Sequence, residues 1–283
     1  AINQATTNQI LALRVKNQGL AQLELVMPAI RNALTPTRVI IFMEENAKLH
    51  LLQVALGSEN SAHSHCIEIH LDKNAELNHG FAALGGEKAI CLTNFLVRQK
   101  SFSNYSLTSI QHGWSLSRLE PEIIQVEGQG VSNLHGLQIS TDNQQLDTHS
   151  IVRFEGPNGS LNQLQKAAAS QNSHSIFNGV IEVPQIAQKT KASQLSRNLL
   201  LSRKARIDTK PQLEIVADDV RCAHGATVSQ LQEDELFYLR SRGISATQAT
   251  SLLLQGYCQE IVEALPVEAN RWQILKKILE SMH

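Results

Sequence analysis

Between Ile10 and Thr227 apolar and polar residues alternate in short runs, and the turns that separate the runs resemble one another. Residues 10–15, 22–26, 38–42, 66–71 and 213–216 show the alternation, with many β-branched side chains. A period of two sends successive side chains to opposite faces, so each run reads as a half-buried strand. Glu44-Glu-Asn-Ala-Lys-Leu49 and Asp72-Lys-Asn-Ala-Glu-Leu77 share the form acidic-x-Asn-Ala-x-Leu, and residues 156–161 and 202–207 are looser relatives. Asn and Gly tolerate positive φ at such corners, and the apolar residue that follows re-enters a strand pointing inward. Short strands joined by recurrent corners predict a mainly β chain of solenoid type, each coil stacked on the last. A β-sandwich is the competing architecture, since it also has many short strands.

The pattern changes after Thr227. Residues 233–241 have helical spacing, with Leu236, Phe237 and Leu239 apolar and Gly243 placed to end the helix. Ser245 and Gln248 have the spacing of a capping box. Ala249, Leu252, Leu253, Ile261, Val262 and Leu265 then mark an amphipathic helix that Pro266 stops. A third helix is predicted over about 268–282, with Ile274, Leu275, Ile278 and Leu279 on one face. The chain therefore divides into a β core, residues 1–229, and a helical domain, residues 230–283. The helices serve equally well as a docking element or as a cap over the open end of the solenoid.

Bulk properties exclude several functions. At a net charge of −1 and 4% aromatic residues, the chain has neither the field nor the stacking platforms for nucleic acid. No apolar run reaches membrane-spanning length, and no secretion signal opens the sequence. The four cysteines, Cys66, Cys91, Cys222 and Cys258, form no CxxC pair. No P-loop, HExxH or G-x-S-x-G occurs, and Gly128-Gln-Gly130 lacks the third glycine of a dinucleotide fingerprint and reads as a turn. These features predict a protein of a reducing compartment that binds no nucleotide through a P-loop.

Two constellations carry chemistry. His63, His65 and Cys66 look metal-like, but on a strand the two histidines share one face and Cys66 takes the other, so solvent-facing or ladder histidines are the simpler reading. Cys222 and His224 differ, because Val220, Cys222, His224 and Ala226 alternate with Arg221, Ala223 and Gly225. Thiol and imidazole then leave one face about 7 Å apart. Two donors do not close a tetrahedral site, and burial is the simpler reading of this pair too. Cys91 and Cys258 sit among apolar residues and read as core.

The stretch from Pro211 to Thr227, PQLEIVADDVRCAHGAT, followed by ELFYLRSRGI from Glu235 to Ile244, closely resembles the SufB/SufD family of iron–sulfur cluster assembly proteins. Within it, Asp218-Asp219-Val220 and Cys222-Ala-His224-Gly resemble the SufD branch. SufB-like chains have a functional Cys where this chain has Ala205 and a Glu where it has Gly225.

The resemblance implies a right-handed parallel β-helix (β-solenoid) core with a C-terminal α-helical domain. It also implies pairing with a SufB-like β-helix protein, with a homodimer when alone, and docking of a SufC-like ABC ATPase that hydrolyses the ATP. His224, with Cys222 beside it, would then lie at the subunit interface, where a transient iron–sulfur cluster is held with the partner's help. Phe237, Tyr238, Arg240, Arg242, Gly243 and Ile244 would belong to the ATPase-docking helices. By the same resemblance the chain is a non-catalytic scaffold of the cytoplasm, or of the plastid stroma in a plant. The family's further N-terminal helical region has no counterpart before Ile10. A β-helix carbohydrate-active enzyme is the alternative from another class, and it would require aromatic platforms that this composition does not supply.

Overall fold

The computed structural model describes residues 3, 6, 7, 10–86 and 88–281. Strands run from β1 (Leu11–Val15) and β2 (Leu20–Pro28) to β14 (Lys191–Leu200), β15 (Arg206–Ile215) and β16 (Arg221–Gln230). The odd-numbered strands form one eight-stranded sheet and the even-numbered strands another. Every pairing is parallel, each strand lying against the one a coil before it, as Leu49 lies against Leu77 and Ala192 against Cys222. This is a β-solenoid of about eight coils. A sandwich is excluded, because its sheets are antiparallel.

The alternation does what its period requires. In β4 (Lys48–Leu56) the side chains of Leu49, Leu51 and Gln53 point into the lumen, while Leu52 and Val54 point outward. Phe81, Phe95, Tyr105, Trp114, Phe154 and Phe177 fill the interior and are fully buried. Each such side chain contributes roughly 1.5–3 kcal/mol through the apolar surface it removes from water.

The corners explain the recurrent turns. Asn46 and Asn74 have φ of 58° and 56°, and Asn74 Nδ2 donates to Asn46 Oδ1 at 3.1 Å, so the two stack. Gln18, Phe102, Gln129, Asn158 and Lys189 take the same left-handed conformation at corners of other coils. Gly128, at φ 82°, is a corner residue, as its turn reading requires.

The lumen also holds polar groups. His79 Nε2 donates to Gln53 Oε1 at 2.7 Å, and its Nδ1 lies 3.1 Å from the Tyr105 hydroxyl. His63 and His65 also lie inside, 1% exposed each, which corrects the solvent-facing reading. They share the inner face of β5 (Ala62–Leu71) while Cys66 takes the outer face. They persist in an apolar lumen because each keeps a partner, Leu56 O for His63 and Thr37 for His65.

Three helices follow: α1 (Glu233–Ser241), α2 (Ala246–Val262) and α3 (Ile274–Ser281). The Ser245–Gln248 capping box starts α2. The predicted third helix is broken: Val267–Trp272 is 3₁₀, and Gln273 turns left-handed at φ 47° before α3 begins. Its predicted end at Met282 lies outside the described residues, as does most of the stretch before Ile10.

The helices do not cap the solenoid. Leu254, Cys258, Ile261, Leu265, Ile274 and Ile278 pack on the outward residues of the even sheet, among them Leu52, Val54, Leu84, Ile110, Ile139 and Leu199. Lys166 Nζ bonds Tyr257 O at 2.9 Å and Glu260 at 2.5 Å, and Tyr257 Oη donates to Arg197 O at 2.6 Å. Trp272 Nε1 reaches Glu24 in β2 at 2.7 Å, so the helical tail runs back along the flank to the first coil. A cap would need an apolar face presented to the last coil, whereas the outward leucines and valines of the flank offer the larger apolar surface.

Candidate functional site

The flank packing leaves the last coil open. β16 has one neighbour, β14, and stands at the edge of its sheet. Its register sets Cys222 against Ala192 and His224 against Gln194. Ala192 and Gln194 are buried lumen residues, so Cys222 and His224 both point along the lumen side, as the alternation predicts. No further coil covers them, and His224 is exposed while Cys222 is half-buried against the end of the apolar core. The simple burial reading therefore fails for His224.

Burial raises the Cys222 thiol pKa above its ordinary value, with a smaller opposing effect from a hydrogen bond to the Ala192 backbone. At neutral pH the group is a thiol, and metal binding would have to displace its proton. Beneath His224, Gln194 Nε2 donates to Gln163 Oε1 at 2.8 Å, and Gln194 Oε1 is buried without a partner. A polar column thus leads from the lumen to the exposed imidazole. Sequence reasoning missed these glutamines, whose only signal is recurrence one coil apart.

Among the described residues no group of three or more His, Cys, Asp or Glu side chains could hold a metal ion. Cys222 and His224 supply two donors, and a closed tetrahedral site needs others from outside this chain. Among the described residues His63 and His65 have no third ligand.

The other cysteines behave as core. Burial pushes Cys91 and Cys258 each up to about 12. A thiol reagent on the native chain should therefore label Cys66 and Cys222 only, with Cys222 accelerating as pH rises. Mass spectrometry of the labelled peptides checks this, and labelling of Cys91 before unfolding would contradict the packing.

The predicted docking residues lie apart from this pair. No residue of α1 is buried, and Phe237 and Tyr238 are 72% and 56% exposed. The Arg242 guanidinium lies 4.6 Å from the Tyr238 ring centroid. Gly243, at φ 85°, follows the helix with no atom near its missing Cβ, and Arg240 lies in the last turn. Ile244 leads to the cap of α2. Leu236 and Leu239 are half-buried, while Phe237 and Tyr238 are left as an exposed aromatic surface that association can bury.

A parallel β-solenoid with an open terminal coil, a Cys–His pair on its lumen side and helices along one flank defines the class. Residues 26–257 match the family model for the SUF system FeS cluster assembly SufBD core domain, and the chain belongs to that family. It is 40% identical over 200 residues to an iron–sulfur cluster assembly SufBD family protein of Synechocystis, covering 71% of this chain and 44% of the relative. Similarity to the chloroplastic protein ABCI7 of Arabidopsis thaliana is 32% over 233 residues, covering 81% of this chain and 49% of that protein. Similarity to the iron–sulfur cluster assembly protein SufD of Escherichia coli is 39% over 145 residues, 51% and 34% of the respective chains. The chain is SufD-like, and it spans less than half the length of these relatives. Among the described residues no helix is long and apolar enough to cross a membrane.

Proposed function

We propose that this chain is a SufD-like scaffold that pairs with a SufB-like chain to assemble and transfer nascent iron–sulfur clusters. A SufC-like ABC ATPase docks on α1 and hydrolyses the ATP, and this chain catalyses no step itself. The observation that carries the reading is His224, held on the lumen side of the last coil and left uncovered, with Cys222 beside it. Neutral imidazole and thiolate are suitable iron ligands, and an incomplete donor set fits a site finished by a second subunit. The transient cluster is cargo held at that interface. The chloroplastic relative and the four unpaired cysteines fit a reducing compartment, the plastid stroma or the cytoplasm.

Replacing His224 by Ala in the reconstituted three-component complex tests the role. Cluster assembly, read as anaerobic iron and sulfide content, should fall to background while the subunits still co-purify. A full cluster yield from the His224→Ala complex would sink it. A second reading, a purely structural ATPase-docking partner, is favoured by the exposed aromatics of α1. Under that reading the substitution leaves iron content unchanged, whereas Phe237→Ala with Tyr238→Ala releases the ATPase.

A further inference from the structure

Several charges in this solenoid are paired from one coil to the next. Arg14 pairs with Glu44 at 2.5 Å, Arg31 with Glu59 at 2.6 Å, Lys48 with Glu76 at 2.9 Å, Lys100 with Asp72 at 3.1 Å and Arg153 with Glu182 at 2.5 Å. The reason is geometric: stacked side chains stand about 4.8 Å apart, close enough for opposite charges to attract and for like charges to repel.

Among the described residues, three register steps within the strands set like charges side by side. Lys166 lies against Arg197, Glu182 against Glu214 and Lys191 against Arg221. The first is offset by Glu260, bonded to Lys166 at 2.5 Å and drawn further by Arg197. The second is offset by Arg153, bonded to Glu182. The third has no such counter-charge. Neither Lys191 nor Arg221 makes an ion pair among the described residues, and Asp218 and Asp219, the nearest acids in sequence, pair with neither.

Where this pair sits indicates what is missing. Lys191 and Arg221 open β14 and β16 on the outer face of the even sheet, on the part that the helices leave bare. They line a shallow groove of about 460 Å³ with Ser160, Asn162 and Ser193, and no acidic side chain borders it. The exposed lining of the groove is mostly apolar, and the two cations have no acceptor of opposite charge there. The groove also adjoins the unpaired edge of β16, where an added strand would lie one ladder spacing away.

We propose that Lys191 and Arg221 receive carboxylate side chains of a second β-solenoid chain that docks along β16. This rests on the reading that the last coil is the face that meets a partner subunit, and it adds the chemistry of the partner: an acidic segment opposite the start of β16. The uncompensated step is then a feature of the lone chain, relieved on association. Such contacts steer encounter and fix register, and they weaken as salt screens them.

A single substitution separates this from a structural role. Lys191→Glu creates an opposite-charge step with Arg221 like that of Lys48 and Glu76, so the isolated chain should melt at the same temperature or higher. The same variant should bind a co-expressed SufB-like chain about tenfold more weakly at low salt. The double variant Lys191→Glu with Arg221→Glu should bind more weakly still, and added salt should no longer weaken its binding. The exchange Lys191→Arg with Arg221→Lys should retain binding. Unchanged affinity and salt dependence in the double variant overturn the inference while the pairing reading stands. Failure of the wild-type chain to bind the SufB-like chain at any salt concentration overturns the pairing reading itself. Inorganic phosphate is the second probe: binding to the wild-type chain, lost in the double variant without change in subunit affinity, assigns the groove to a small oxyanion and overturns the carboxylate partner.

Discussion

The solenoid should lose stability steeply between pH 6.5 and pH 4.5, before its carboxylates begin to titrate. His65 and His79 lie in the lumen, and burial lowers each from an ordinary value of 6.5 to about 3, His63 adding to the effect at His65. The folded chain therefore keeps both rings neutral, while the unfolded chain takes up protons as soon as pH falls below 6.5. Stability from this source is complete above pH 6.5 and is lost as pH falls toward 3, where the folded form protonates too. Each histidine changes the unfolding free energy by about 1.4 kcal/mol per pH unit in that window, so the pair removes roughly 4 kcal/mol by pH 5. Buried His63 and His112 are shifted in the same direction and add to the loss. Urea midpoints at pH 7 and pH 5 measure it directly. His79→Gln keeps a polar group near Gln53 and Tyr105 and should flatten the slope by one histidine's share. Equal unfolding free energies at the two pH values would mean that the rings are not neutral in the folded lumen.

What the sequence revealed of this fold follows from which positions dictate residue type. Alternation in residues 38–42 and 66–71 was legible because a strand with one wet face must alternate. The corners were legible at Asn46, Asn74 and Asn158, and hidden where Gln18, Phe102 and Lys189 adopt the same positive φ. Those residues take the strained conformation because the stacked coils above and below hold it, a tertiary constraint that leaves no local signature. Cys222 and His224 were correctly placed on one face. That this face ends in open solvent could not be read from β16, because it depends on where the helices lie. Their resting place was hidden for a related reason: Leu52, Val54 and Ile139 look like ordinary strand residues until a helix is seen against them. The break at Gln273 was missed because Ile274, Leu275, Ile278 and Leu279 keep helical spacing on its far side.

Gly128→Ala should be the most damaging single methyl that a corner of this solenoid can receive. Gly128 has φ 82°, and a Cβ there would stand 2.2 Å from Pro157 O and 2.7 Å from Gly156 C. Both are backbone atoms of the next coil, and Pro157 O is itself held by the Gln129 amide at 2.8 Å, so neither can yield without opening the stack. Left-handed strain of about 1 kcal/mol adds to that displacement, for a loss of about 4 kcal/mol or more. Gly256, in α2, is the control. Nothing lies within 4 Å of its missing Cβ, and Gly256→Ala should stabilise by roughly 0.5–1 kcal/mol through helix propensity. Urea unfolding of the two variants beside the wild type reads both signs at once, and a Gly128→Ala midpoint at or above that of the wild type would refute the corner stacking. The contrast follows from the fold: a solenoid coil has a neighbour pressed against each corner, whereas the flank helix has water on its outer side, so one methyl is expelled from the first and accommodated by the second.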